Sequence, residues 1–486
     1  MMKKKTLFAS KLVPLIAALL LAGCASTANF TPAAAPAAPA AFKELDGRWA
    51  QATPAEAQAR GRWWAVFADP VLDDLVARAD LNNTSIQLAS ARLAQARALL
   101  RSTDADHLPQ IGVGAGAQRG NNLVAGSATP TTILSAGANA SWEPDLFGRL
   151  AKASNAAALD AQSREALLQS ARLLVQSDVA QAYFVLRALD DERVLVRETV
   201  SAYRDTLRLT ERRYAAGDVA ELDLARVQAE VASTESQALA LDRQRTQLEH
   251  ALAVLLGELP SSFTLAEAEW RGALPSVPPG IPSTVLTRRP DVSAAQSAML
   301  AAQARVGVAR TAWFPDVALT ANGGFASTDL GDLFKWSARS WGVGALLSLP
   351  VFDGGRREAG VQNANALWDA AAASYREQVL TAFQDVEDQL AALRLLADQA
   401  GAQTQAVDAA ARATLLSNSR YRNGLVSQLE FLDARRSELA NRRQAVQVRA
   451  AQYQATVGLI RALGGDWGEG APAPTASAKA PGNAGA

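Results

Sequence analysis

Residues 111–117 alternate between two kinds of side chain. Ile111, Val113, Ala115 and Ala117 fall on one side of an extended chain, and Gly112, Gly114 and Gly116 on the other. A period of two is the signature of a β-strand. A return stretch through Ile133, Ser135, Gly137 and Asn139, or the neighbours of those positions, completes a predicted hairpin over about 109–144. The pattern recurs with Val317, Leu319 and Ala321 going out and Trp341, Val343, Ala345, Leu347 and Leu349 coming back, a second hairpin over about 315–350. Small residues, including Gly342 and Gly344, fit a lumen or a tightly packed side, with Val and Leu facing lipid.

Elsewhere the period is helical. From Arg149 to Ala216 no glycine or proline interrupts a run rich in Ala, Leu, Gln, Arg and Glu, all good helix formers. At 1.5 Å per residue those 68 positions would run roughly 100 Å. The stretch from Asp218 to Leu256 is equally unbroken and must return antiparallel, because the turn at Gly217 is short. A second such pair runs from Arg356 to Asn423, with Gly360 and Gly401 as weak points, and back from Leu425 to Val457. Shorter helical stretches, 82–102 and 290–311, precede Pro109 and Pro315.

Every element therefore occurs twice. Arg213-Tyr214-x-x-Gly217 returns as Arg420-Tyr421-x-x-Gly424, AQAR at 94–97 as AQAR at 302–305, Gly148-Arg149 as Gly355-Arg356, and Gly257 as Gly464. A constant offset marks an internal duplication. The first repeat covers 47–257 with its helical-hairpin tip at 213–224; the second covers 290–464 with its tip at 420–433. A Pro-rich connection, 258–289, joins them, and a Pro/Ala-rich tail, 465–486, closes the chain.

The N-terminus sets the compartment. Lys3, Lys4 and Lys5 precede an apolar run from Leu12 to Leu21, too short to span a bilayer. It ends in Leu21-Ala22-Gly23-Cys24, which resembles a bacterial lipobox. Residues 1–23 read as a lipoprotein signal peptide and Cys24 as the acylated, palmitate-bearing anchor; Ala25 and Ser26 follow, and the lack of an aspartate at the second place predicts export to the outer membrane of a Gram-negative bacterium. Residues 24–46 form a Pro/Ala linker expected to act as a tether. Cys24 is the sole cysteine, which excludes disulfides and cysteine-based metal sites. Charge is balanced, 48 basic against 48 acidic residues, and no aromatic-basic interleaving points to nucleic acid.

Catalysis finds no support. Asp73 with Asp74, Glu143 with Asp145, and Asp190 with Asp191 read as ordinary surface acids. No nucleophile–base set, phosphate loop or metal-ligand spacing appears, and the Gly-rich GVGAGAQRG lies in a strand pattern. No cofactor and no metal site is expected. The competing architecture is a lipid-anchored periplasmic helical scaffold without channel activity.

Four strands cannot stand alone in a bilayer, because lipid offers an open edge no partner. Two chains would give eight strands and a filled interior, three would give twelve and a lumen. The motifs RWWAVFADPVLDDLV, LPQIGVGAG, SWEPDLFGR, LTRRPDV, FPDVALTANGG, LPVFDGGR, AFQDVEDQL, RYRNGLVSQLEFLDARR and LGGDW resemble those of the outer-membrane factors of the TolC-like, NodT/OprM type. The resemblance implies a mainly α protein with a membrane β-barrel: four strands per chain, a twelve-stranded barrel shared in a homotrimer, and a long antiparallel α-helical tunnel in the periplasm. It implies an exit duct of a tripartite efflux system, such as those of multidrug resistance, partnered by a periplasmic adaptor (membrane fusion) protein and an inner-membrane transporter of the RND type.

The same resemblance assigns residues. Arg213, Tyr214, Gly217, Arg420, Gly424, Val426 and Ser427 become adaptor-contacting tips. Glu430 and Asp433 become an acidic ring at the tunnel mouth, and Tyr421 with Asp223 a link holding the coils shut. Val426 stands where a basic partner is sometimes found, so a full salt-bridge lock is not expected. Leu415 and Leu416 are candidates for an apolar gate, with core packing the preferred reading.

Overall fold

The computed structural model describes residues 41–44, 61–121, 130–270, 272–275, 277 and 288–465. The predicted signal peptide, Cys24, most of the Pro/Ala linker, much of the Pro-rich connection and the tail beyond 465 lie outside the described residues. In chain order the elements are a 3-10 turn (Trp63–Phe67), α1 (Pro70–Asn82), α2 (Thr84–Ala105), β1 (Gln110–Gly120), β2 (Thr131–Trp142), α3 (Arg149–Ala215), α4 (Glu221–Leu255), α5 (Pro290–Thr311), β3 (Asp316–Ser327), β4 (Arg339–Ser348), α6 (Arg356–Arg422) and α7 (Gln428–Ala462). Two further 3-10 turns, Leu330–Asp332 and Trp336–Ala338, sit between β3 and β4. Both predicted hairpins and both helix pairs are present. Gly360 and Gly401 do not break α6. A glycine costs a helix only about 1 kcal/mol, which the flanking Ala-rich turns absorb.

The chain divides into two compact units. The strand-bearing unit holds residues 93–164 and 295–376. Its strands form one antiparallel sheet in the order β1-β2-β3-β4, so β1 and β4 are open edges. Val113 pairs with Ala138, Ala138 with Gly323, and Gly323 with Trp341. Propagating that register by twos gathers Ile111, Val113, Leu134, Ala136, Val317, Leu319, Phe325, Trp341, Val343 and Leu347 on one face. The neighbours of Ile133 and Ser135, not those residues themselves, therefore share the apolar side. The opposite face is small or polar apart from Ile133 and Leu346: Gly112, Gly114, Ser135, Asn139, Thr320, Asn322, Ser340 and Gly344. Val113 is 86% exposed and Trp341 76%, so most of the apolar face is left uncovered by the described residues. No described helix is long and apolar enough to cross a membrane.

The acids around the strand ends are structural. Glu143 pairs with Arg149 at 2.6 Å, and Asp145 accepts from the backbone N–H groups of Leu150 and Ala151, capping α3. In the second repeat Asp353 does the same for α6, accepting from the N–H groups of Gly355 and Arg357. The motifs SWEPDLFGR and LPVFDGGR are thus helix-starting devices at the end of a strand.

The helical unit holds residues 38–92, 165–294 and 377–486. Asp69 caps α1, whose first residue is Pro70, and also accepts from the Tyr183 hydroxyl at 2.6 Å. Phe67, Phe184, Trp270 and Tyr453 stack at 4.5–6.0 Å between centroids, binding α3, α7 and the connection into one core. Asp190 corrects the sequence reading: it is buried, not a surface acid, and accepts from Arg245 at 2.7 Å and Arg187 at 3.2 Å. Those two arginines also donate to the carbonyls of Leu265 and Ala266, so the charges are fully used in strapping the connection to the bundle. Arg289 of LTRRPDV plays the same part for the second repeat. Burial opposes its charge, yet Asp291 and Asp385, at 2.6 and 2.8 Å, hold its pKa above the usual value. Of the predicted tether, residues 41–44 are docked: Phe42 is buried, Glu387 accepts from the Lys43 and Glu44 N–H groups, and Glu44 pairs with Arg394.

One pair of glycines tests the register. Gly137 faces Gly324 across β2 and β3, and a Cβ on Gly324 would lie 2.4 Å from the Ala136 carbonyl oxygen, whereas one on Gly114 meets nothing within 4 Å. Gly324→Ala should lower the melting temperature of the strand signal in detergent, by the ~1–3 kcal/mol of an overpacked site. Gly114→Ala should leave it unchanged.

Candidate functional site

The duplicated RYxxG segments are the helix-reversing tips. At the first, Tyr214 O accepts from Gly217 N at 3.0 Å and Arg213 O from Asp218 N at 2.8 Å; at the second, Tyr421 O accepts from Gly424 N at 3.0 Å and Arg420 O from Leu425 N at 2.9 Å. This paired closure of the last turn requires a left-handed residue. Gly217 and Gly424 supply it with φ of 77° and 71°. The motif is a helix stop written twice, and its spacing reflects the two hydrogen bonds.

Beyond the two stops the tips diverge. Ser427 caps α7, its hydroxyl accepting from Glu430 N at 3.3 Å, whereas Ala220 at the start of α4 makes no side-chain cap. Ser427 and Glu430 stand in capping-box spacing. Glu430 is exposed, and among the described residues its carboxylate has no cationic partner. Asp433, one turn on, is paired with Arg436 at 2.6 Å, and Arg436 also reaches Glu230 of α4 at 2.5 Å. The hydrogen bond to Glu230 outweighs burial and raises the Arg436 pKa.

Tyr421 and Asp223 do not meet within the chain. The Tyr421 ring stacks on Phe431 at 5.5 Å and 5°, and Asp223 has Arg226 at 3.9 Å. Val426 is half-buried, while Arg420, Tyr214, Gly217 and Gly424 are exposed and Arg213 half-buried. Leu415 and Leu416 overturn the core-packing expectation: they are 70% and 55% exposed. Leu222 and Leu425 are exposed as well, so the tips carry apolar side chains that the single chain leaves in water.

Residues not singled out from sequence hold the two hairpins together. Gln428 Nε2 donates to Thr210 Oγ1 at 2.8 Å in a buried bond, and Thr210 in turn donates to Thr206 O. Leu432 is fully buried among Tyr203, Val227 and Val231. Further along, Arg443 reaches Glu192 at 2.6 Å and Gln237 at 3.2 Å. The signal was available in the repeat offset. Gln428 stands against Glu221 and Arg436 against Ala229, so neither side chain has a counterpart of like chemistry in the first tip.

Tyr203 gives this junction a pH signature. Its hydroxyl is buried without a hydrogen-bond partner, and burial, aided by the charge of Glu230, pushes its pKa up to about 12. The folded state thus favours the neutral phenol. That contribution is present below the ordinary value of about 10 and is lost as pH rises towards 12. Amide protection factors of the tip segments of α3, α4 and α7, exchange being corrected for its base-catalysed intrinsic rate, should fall between pH 10 and 12, and Tyr203→Phe should remove that fall. At neutral pH the same substitution should stabilise the junction by about 1 kcal/mol, since it deletes an unpaired buried hydroxyl.

Comparison with known proteins agrees with this geometry. The profile of the outer membrane efflux protein family matches residues 75–258 and 281–465, the two repeats in turn. The cation efflux system protein CusC of Escherichia coli O6:H1 is 32% identical over 461 residues, covering 94% of this chain and 99% of the relative. The pyoverdine export outer membrane protein OpmQ of Pseudomonas aeruginosa is 34% identical over 461 residues, 93% of this chain and 96% of its own. The solved outer-membrane channel OprN superposes with a TM-score of 0.80 at 30% identity, covering 90% of this chain and 99% of that structure. The chain belongs to the outer membrane efflux protein family.

Proposed function

We propose that three copies of the chain close their sheets into one twelve-stranded barrel, continued in the periplasm by a tunnel of twelve long helices whose tips form a gate. The protein is the outer-membrane channel of an efflux system, a passive exit duct for small molecules. The observation that carries the oligomeric reading is the sheet: four strands of 10–12 residues, one face mainly apolar and largely exposed, and two edges unpaired. Strands of that length cross a hydrocarbon layer when tilted. The scaffold reading gives the apolar face no role.

At the tips, exposed Leu415, Leu416 and Leu425 would pack between copies in the closed state. Glu430 and Asp433 would form stacked acidic rings, with Glu430 the stronger because Arg436 already compensates Asp433. The Tyr421–Asp223 link, absent within one chain, would form in the closed ring. Arg213, Tyr214, Gly217, Arg420, Gly424, Val426 and Ser427 would receive a periplasmic adaptor, which joins the duct to an RND-type transporter. Cys24, outside the described residues, would carry the lipid anchor. Cargo choice rests with the transporter, because a wide aqueous lumen discriminates little.

Planar-bilayer conductance of the purified protein tests the reading. Wild type should give small, flickering currents, and Asp223→Ala combined with Tyr421→Phe large, stable ones. Glu430→Gln with Asp433→Asn should weaken the preference for cations. If both gate forms insert and neither conducts, the protein is a lipid-anchored scaffold instead.

A further inference from the structure

The apolar face of the sheet ends, on the side remote from Gln110 and Ser348, in two arginines. Arg119 closes the series Ile111, Val113, Ala115, Ala117 on β1, and Arg339 opens the series Trp341, Val343 on β4. Both are exposed. Among the described residues neither has a carboxylate partner: Arg119 donates to Thr132 Oγ1 at 3.4 Å, and Arg339 donates to the Trp336 carbonyl at 3.0 Å with its guanidinium 4.4 Å from the Trp336 ring. The sequence from 120 to 131 contains no acid.

These arginines lie on the two edge strands, and their meeting rests on the barrel closure proposed for the oligomer. Closing a barrel from copies of this sheet pairs β4 of one copy with β1 of the next, antiparallel because strand direction alternates. The register has two constraints. Apolar faces must match, which pairs odd positions with odd and even with even. Pairing both strands over their full lengths then sets Ser348 opposite Gln110, and by the same count Arg339 opposite Arg119 of the neighbouring copy. Like charges directly opposite on one face of a sheet repel. An anion between them turns that repulsion into a site, and guanidinium groups match phosphate in bidentate fashion. At the outer rim of a lipid-facing surface, the phosphate at hand belongs to a membrane lipid.

We propose that each seam between copies binds a phosphate of an outer-leaflet lipid A glycolipid, held between Arg339 of one copy and Arg119 of the next. Trp336 keeps the Arg339 guanidinium flat, and Trp341, next on the same face, packs against the lipid below it. Lys335 is not part of the clamp, since Asp332 pairs with it at 2.5 Å. The site is incomplete in one chain and would help to weld the barrel.

Native mass spectrometry of the full-length protein, delipidated and then titrated with diphosphoryl lipid A or with phosphatidylglycerol, tests this. The wild-type oligomer should take up lipid A, one per seam. Arg119→Gln and Arg339→Gln should each remain oligomeric and conducting but bind lipid A about tenfold more weakly or worse, the loss of a charge-assisted pair. Undiminished binding by both variants, or equal uptake of phosphatidylglycerol, overturns the proposal while leaving the channel intact. A wild-type mass that is not oligomeric removes the closure reading and the seam together.

Discussion

An unpaired strand edge is the constraint on which this protein turns. Each backbone N–H or C=O left without a partner in hydrocarbon costs several kcal/mol. The chain folds β1 to β4 into a sheet whose inner strands are satisfied and whose outer strands, at Gln110–Gly120 and Arg339–Ser348, are not. No described helix repairs that, because the described helices start where the strands stop. The deficit is met only by another copy of the same edge pair. Oligomerisation is therefore a condition of the sheet entering lipid at all, and the face alternation of small against apolar residues fixes which side of the closed wall meets water.

Duplication supplied the parts, and divergence supplied the connections between them. The two tips share their hydrogen-bonded helix stop down to the backbone atoms, through Arg213 and Arg420, Tyr214 and Tyr421, Gly217 and Gly424. The bonds between hairpins are not shared. Gln428–Thr210, Arg436–Glu230 and Arg443–Glu192 tie α7 to the first hairpin, whereas the equivalent positions, Glu221 with Ser417, Ala229 with Ser437, and Ser236 with Gln399, offer no matching ion pairs. Within a ring of repeats this makes one kind of junction internally fastened and leaves the other to the meeting of separate copies. The gate contacts proposed above would fall at the second kind, where no described residue of the chain already binds the surfaces.

Much of this was legible in the sequence because it depends on local periodicity. The outer bounds of both hairpins lie within two residues of those observed, and Gly217 and Gly424 follow from the need for a left-handed residue. The face of β2 was not legible, since Ile133–Ser135 and Leu134–Ala136 alternate equally well and only cross-strand register with Val113 decides. Long-range polar contacts were invisible for a related reason. Asp190 resembles any surface acid until Arg187 and Arg245 close around it, and Arg436 resembles any helix cation until Glu230 arrives from another hairpin. Leu415 and Leu416 failed in the opposite sense. Apolar residues in a helix are expected to be buried, and here no described part of the same chain covers them.

Burial is graded along the helical unit, and the grading bears on how a duct can open without coming apart. The middle and lower parts of α3 and α7 are pinned by the aromatic stack of Phe67, Phe184, Trp270 and Tyr453 and by the strapped connection, where Leu186, Leu252, Leu459 and Ile460 are fully buried. At the tip the buried apolar set shrinks to Tyr203, Val227, Val231, Phe431 and Leu432, with an unpaired phenol inside it. Local opening costs least where few apolar side chains are buried and the polar bonds are exposed. Arg436, between Glu230 and Asp433, is half in water and contributes accordingly little. The last turns of the helices are thereby the part of the helical unit that opens at least cost.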